Sequence, residues 1–453
     1  MRYYRSEHGN YTYRGPIHEY IRSRRKRPQN GPDRFFTALV VLAVIAALGT
    51  MIYGVSSMCH GKKETYPVQI AENGERTDNA AEEGQNGNSD PNEPDAAEPQ
   101  ETDDYEPVPE IDPVTAKALD ISSSMSTEDK IGLLILPRGD NMEFDQFTEL
   151  ISDIHAGGAV LFKKDFTEKS KKSVKKMTAK LQEAGGGHML LCVDEEGGTV
   201  VRISSNENLR ESKFKSPQYL YNHGGMDAIA SDTREKCRFL LDLGVNVNFA
   251  PVSDVVTDEE GFLYPRAFGK NAQETAEYVG VVTGIMKEEH VGCSLKHFPG
   301  YGNAHGDTHE GLVESAVTEQ SLWDSDLVPF AEGIAKGADS IMVTHTIVSC
   351  IDPDRPCSMS PAAISLLRER MGFDGVVVTD GLDMGAITKF CNGGDPCVQA
   401  VLAGADLMCT PSDSRASYKA LLDAYNSGVI TPERLEESVM RILKWKIDLG
   451  LYQ

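Results

Sequence analysis

Gly372-Phe373-Asp374-Gly375-Val376-Val377-Val378-Thr379-Asp380 reads as a turn, a short buried strand, and a carboxylate where the strand runs out. β-Branched residues without polar alternation suit a parallel strand covered on both faces. Working outward, similar short apolar runs stand at 131–136, 159–162, 189–193, 245–249, 293–296, 340–344 and 406–409, so with 375–379 there are eight. Between them lie amphipathic stretches at 169–184, 228–243, 272–289, 322–335 and 362–371, and a closing helix is expected from an N-cap at Thr431, with Pro432 first, through Trp445 to about Leu449. Eight strand–helix repeats predict an α/β fold, a (β/α)8 TIM-type barrel over 113–453. The alternative is an open doubly wound sheet, but no GxGxxG string follows an early strand.

Upstream of the barrel the chain changes character twice. Residues 1–34 carry nine Lys+Arg against three acids, and residues 71–112 carry fifteen acids against Arg76, within a net charge of −24. Basic residues thus concentrate in one short tail, which argues against a nucleic-acid partner. Phe35 to Val55 reads FFTALVVLAVIAALGTMIYGV, with no charged residue between Arg34 and Lys62. About 20 apolar residues span a bilayer's hydrocarbon core, so 35–57 is expected to be a transmembrane helix. The cluster Arg22–Arg27 before it keeps 1–34 in the cytoplasm and places the rest outside, in a single-pass cell-membrane protein. A long basic segment and no clear small-x-small site favour an uncleaved anchor over a signal peptide. Residues 58–112, poor in large apolar side chains, are expected to form a disordered acidic linker. Of nine cysteines, Cys350 with Cys357 and Cys391 with Cys397 are spaced to close small loops, so disulfides there are an open expectation.

Chemistry in such a barrel gathers at the C-terminal ends of the strands. There the sequence places Asp194 and Arg202 after the third strand, Lys296 and His297 at the fifth, His345 after the sixth and Asp380 after the seventh. After the fifth strand, Gly300, Gly302, Ala304 and Gly306 make a pliant segment leading to Asp307 and His309. Two residues apart, the carboxylate and imidazole can pair, and a carboxylate on one ring nitrogen raises the basicity of the other. Zinc on His297, His305, Asp307 and His309 is the competing reading, but their spacing matches no helical HExxH and a glycine-laced loop orients ligands poorly; no metal or cofactor is expected. Asp380 in a polar mouth would stay ionised, as nucleophile or electrostatic stabiliser. An attacking carboxylate and a proton donor are what retaining glycoside hydrolysis needs, and Lys296, His297 and Arg266 can donate to sugar hydroxyls. From the residues alone the protein is a hydrolase of a polar substrate, a glycoside among the options.

Six strings, in order, resemble glycoside hydrolase family 3 and its single-domain β-N-acetylglucosaminidases: Asp194-Glu195-Glu196-Gly197-Gly198, the run from Asn246 to Asp254, Arg266-Ala267-Phe268-Gly269, Lys296-His297-Phe298-Pro299-Gly300, Asp307-Thr308-His309, and Gly372 to Asp380. The resemblance implies that Asp380 attacks the anomeric carbon while His309, paired with Asp307, protonates the leaving oxygen and later activates water. It assigns Asp194, Arg266, Lys296 and His297 to holding the sugar, with Arg202 and His345 beside them. Larger members take their acid from a second α/β domain, for which no room is expected after Gln453. Gly381, Tyr301 and Thr308 depart from the residues commonest in the family.

The resulting expectation is a membrane-anchored exo-β-N-acetylglucosaminidase that removes terminal non-reducing N-acetylglucosamine from peptidoglycan-derived fragments. A phosphorylase or a β-glucosidase of the same fold is the near rival, and a non-catalytic wall-binding barrel the distant one.

Overall fold

The computed structural model describes residues 3–5, 11–13, 111–301, 311–391 and 394–452. The expected transmembrane helix, most of the acidic linker and the Asp307/His309 pair lie outside them. Among the described residues no helix is long and apolar enough to cross a membrane. Near the N-terminus, Tyr3–Arg5 pairs antiparallel with Tyr11–Tyr13.

Eight short parallel strands carry the globular part: β1 (Ile135–Leu136), β2 (Gly158–Leu161), β3 (Leu190–Val193), β4 (Val247–Asn248), β5 (Gly292–Phe298), β6 (Ser340–Val343), β7 (Val376–Thr379) and β8 (Met408–Cys409). Six pair in the order β7-β6-β5-β4-β3-β2, and β8 pairs with β1. Parallel bridges Arg138 to Val160 and Val378 to Leu407 join the two sheets, giving a (β/α)8-type barrel. In β7, Val376, Val377 and Val378 have no exposed surface. Burying each contributes roughly 1.5–3 kcal/mol, which is why an unalternating apolar run suits this position.

The closing helix Pro432–Asp448 starts as its sequence dictates: Thr431 accepts the Arg434 N–H and Pro432 occupies the first turn. It buries Val439, Ile442, Leu443 and Trp445. A Cβ on Gly292 would come within 2.8 Å of the Trp445 ring, so only glycine fits where β5 begins.

One expectation is corrected, one is extended and one that stood open is decided. The run at 131–136 is mostly helix: Ser126 and Asp129 form a capping box that starts helix Thr127–Leu133, leaving only Ile135–Leu136 as strand. Short apolar runs carry no period that separates buried helix from buried strand, and here the cap decides. The helix at 228–243 is the second part of Pro217–Asp242, whose first part ends at a break at Gly224 and Gly225. Neither cysteine pair is bridged: the eight described cysteines are free thiols. Cys350 lies on the surface and Cys357 inside, while the Cys391 thiol packs on the Met359 sulfur at 3.6 Å.

Candidate active site

The loop after β3 is folded around Glu195. Its carboxylate accepts the backbone N–H groups of Arg202 (2.9 Å) and Ile203 (2.8 Å) and also binds the Ser204 hydroxyl. Asn248 at the end of β4 ties the Glu195 backbone with two hydrogen bonds, at 2.9 and 3.1 Å. Gly197 turns at φ 104°, and a Cβ there would lie 2.2 Å from the Lys215 carbonyl oxygen. The turn therefore requires glycine.

The fold thereby brings Asp194, Arg202, Arg266, Lys296 and His297 into one cluster. Lys296 is only 2% exposed, yet its ammonium donates to Asp194 (2.8 Å) and pairs with Glu196 (2.5 Å). Burial alone would lower its pKa; the two carboxylates outweigh that and hold it above the ordinary lysine value. Arg266 forks onto Glu196 through Nε (3.0 Å) and Nη2 (2.7 Å), and Arg202 reaches Asp194 at 3.2 Å. Burial opposes ionisation of both acids, but the charges of Lys296 and Arg202 hold Asp194 well below the carboxylate range. Arg266 and Lys296 hold Glu196 at about 2.

His297 Nδ1 lies 2.8 Å from Asp254 and its Nε2 lies 3.3 Å from Arg266 Nη2. A guanidinium can only donate, so this geometry assigns the proton to Nδ1 and makes Nε2 the acceptor. Asp254 also receives the N–H groups of His297 (3.0 Å) and Tyr301 (2.6 Å), which fixes where the glycine-rich segment leaves the barrel.

Asp380 follows β7 directly. Its N–H donates to the Val343 carbonyl (3.0 Å), and its Oδ1 accepts the Gly381 N–H (2.8 Å). Burial raises its pKa, but His345, His297, the Gly381 amide and Lys296 together leave it below the aspartate value. A carboxyl held below the ordinary aspartate value is ionised at neutral pH. The structure places His345 behind this loop: it has no exposed surface, Nε2 donates to the Gly381 carbonyl (2.8 Å), and Nδ1 meets the Ser358 hydroxyl (2.7 Å). Such contacts orient the loop bearing Asp380.

Glu196, Asp254 and Asp383 join the site although the sequence pattern does not mark them individually. The first two stand inside the strings quoted above, so the signal was present. Asp383 binds Arg138 Nη1 at 2.5 Å and the Thr410 hydroxyl at 3.1 Å; Arg138 also forks onto Asp140 and lies 4.0 Å over the Phe162 ring. Nothing in the local pattern at Asp383 foretells a partner so far away in the chain. Among the described residues, no group of three His, Cys, Asp or Glu side chains could hold a metal ion.

Residues 126–445 match the description Glycosyl hydrolase family 3 N terminal domain. A β-hexosaminidase A of Pseudoalteromonas piscicida is 31% identical over 67% of this chain and 55% of its own length. A β-hexosaminidase of Xylella fastidiosa is 33% identical over 59% of this chain and 80% of its own. Among solved structures, a family 3 β-N-acetylglucosaminidase from Paenibacillus sp. superposes with a TM-score of 0.68 at 31% identity, covering 72% of this chain and 63% of the other. The structure of LpqI from M. tuberculosis gives 0.65 at 26% identity, with 73% and 96% covered. The chain spans little more than half the length of the Pseudoalteromonas relative. With the family description matched across most of the chain, and the barrel and its charged mouth described, the chain belongs to glycoside hydrolase family 3.

Proposed function

We propose that the chain is a retaining, exo-acting β-N-acetylglucosaminidase that removes terminal non-reducing N-acetylglucosamine from peptidoglycan-derived fragments. The observation that carries this is Asp380, kept ionised at the end of β7 beside a cluster of buried cations that leaves hydrogen-bond capacity for a sugar. Asp194, Arg266, Lys296 and His297 hold the sugar's hydroxyls. Arg202, whose Nε is buried without an acceptor among the described residues, supplies a further donor. Asp380 bonds to the anomeric carbon as the glycosidic bond breaks, and His309, paired with Asp307, gives its proton to the leaving oxygen. The same imidazole then takes a proton from the water that cleaves the ester. Carboxylate, imidazole and water suffice for these steps without metal or cofactor. The names of the β-hexosaminidase relatives support the 2-acetamido substrate.

The proposal includes the apolar run at 35–57 as a membrane anchor, with 1–34 cytoplasmic and the barrel outside the membrane. Asp380→Ala should abolish release of nitrophenol from p-nitrophenyl N-acetylglucosaminide; near-normal turnover in that variant would refute the assignment. A sugar-1-phosphate product in the presence of phosphate would transfer the reading to phosphorolysis.

A further inference from the structure

One stretch of this acidic protein is strongly basic. Between residues 163 and 180 stand Lys163, Lys164, Lys169, Lys171, Lys172, Lys175, Lys176 and Lys180 against Asp165 and Glu168, a net +6, although the whole chain carries −24. The short helix Lys163–Phe166 follows β2 at the mouth of the barrel, and the helix Lys171–Ala184 turns Val174, Met177 and Leu181 into the core. That orientation leaves Lys171, Lys172, Lys175, Lys176 and Lys180 exposed, as are Lys163 and Lys164. Lys175 is neutralised by Asp242 at 2.6 Å and Lys180 lies 5.8 Å over the Phe144 ring. Lys163, Lys164, Lys171, Lys172 and Lys176 make no ion pair among the described residues.

Lysines four apart on a helix sit roughly 6 Å from each other, and such like-charge pairs each cost a few tenths of a kcal/mol. Lys171 with Lys175, Lys172 with Lys176, and Lys176 with Lys180 all repeat that spacing. Solubility does not call for them, since the abundant acids already supply net charge. An anionic partner would relieve the repulsion. The patch is also continuous with the candidate site: Phe162, the residue before Lys163, lies beneath Arg138 and Arg202, and Arg202 binds Asp194.

We infer that Lys163, Lys164 and the outward face of the helix Lys171–Ala184 form a docking surface for a carboxylate-bearing peptidoglycan strand, the polymer whose terminal sugar enters the neighbouring mouth. This rests on the proposed function for the identity of the polymer. It adds a second contact, away from the reacting sugar. Peptide-stem carboxylates are the complementary groups, and because the lysines are solvent-exposed, their attraction is screened within about 8 Å at physiological ionic strength. The contact therefore concentrates enzyme on the polymer and leaves the chemistry at C1 unaltered.

The test compares the full chain with a variant carrying Lys163→Gln, Lys164→Gln, Lys171→Gln, Lys172→Gln and Lys176→Gln; both keep the basic stretch 1–34, so the difference isolates this face. Co-sedimentation with purified insoluble peptidoglycan at low salt should weaken about tenfold or more in the variant. Wild-type retention should fall comparably when salt rises to about 0.3 M or when the wall carboxyls are amidated. Turnover of neutral p-nitrophenyl N-acetylglucosaminide should be the same in both proteins. Equal retention of variant and wild type, undiminished retention on amidated wall, or a variant defect seen only with anionic phospholipid vesicles would each overturn the inference. Loss of wall retention in the variant with no turnover of the neutral substrate by either protein would leave the docking surface standing and sink the proposed activity.

Discussion

The mouth and the floor of the barrel each bury a knot of charge, and the two are built to opposite ends. At the floor, Asp406 accepts the Val377 N–H (2.9 Å), Ser438 (2.7 Å), Arg368 (2.5 Å) and Arg441 (3.1 Å), with Arg434 at 3.8 Å. Burial raises its pKa, but the three arginines bring it to about 2. Every lone pair of that carboxylate is used, and the knot clamps the strands β7 and β8 to the closing helix. At the mouth, among the described residues, Asp380 accepts the Gly381 N–H alone and Arg202 Nε finds no acceptor, so capacity is left over. Saturated charge holds a fold together, whereas unsaturated charge at a strand end waits for a ligand.

The largest expected effect breaks the comparison at the mouth. With the proposed role as nucleophile, Asp380→Ala should lower kcat by on the order of 10³-fold or more, with the melting temperature little changed. Asp406→Asn should do the reverse, costing about 3–5 kcal/mol in denaturant titrations while the molecules that remain folded keep their KM, since it leaves buried arginines uncompensated. If Asp406→Asn instead altered KM at unchanged stability, the division between the two regions would be wrong.

Asp326 sharpens the contrast from a third position. It sits under the start of the glycine-rich segment, where a Cβ on Gly300 would come within 2.9 Å of its own Cβ. Burial, and then the Asp254 charge, push its pKa up to about 7. A carboxyl raised above its unfolded value stabilises the fold below about pH 4, and that contribution is lost as pH rises through about 7. Asp326→Asn should therefore flatten the stability profile between those pH values, by up to about 3–4 kcal/mol. A slope unchanged by the substitution would show that another group titrates.

The smallest effect belongs to Lys446 in the closing helix, 3% exposed, which burial lowers to about 7 against a weak opposing influence from Cys192. Here the linkage runs the other way: stability is full above the ordinary lysine pKa and is lost as pH falls through about 7. Lys446→Met should raise stability at neutral pH by about 1–3 kcal/mol, read from urea midpoints at pH 7 and pH 10, with the gain shrinking at the higher pH.

Legibility in the sequence followed the range of the interaction. β7 could be read from Val376–Thr379 because an unalternating apolar run flanked by Gly375 and Asp380 has few other uses. Asp194, Lys296 and His297 could be read because strand ends in a barrel converge. β1 was blurred because the capping box at Ser126 and Asp129 turns the front of its apolar run into helix. The ion pair of Arg138 with Asp383 and the pairing of His345 with Ser358 and Gly381 join residues from different loops, and only the closed fold reveals them.

The decisive point is which atom attacks the sugar. Incubating the enzyme with a slow fluorosugar analogue of N-acetylglucosamine, quenching in acid and sequencing the peptides by mass spectrometry should find one glycosyl adduct, on Asp380. An adduct on another residue, or release of product with inverted anomeric configuration and no adduct, would contradict it.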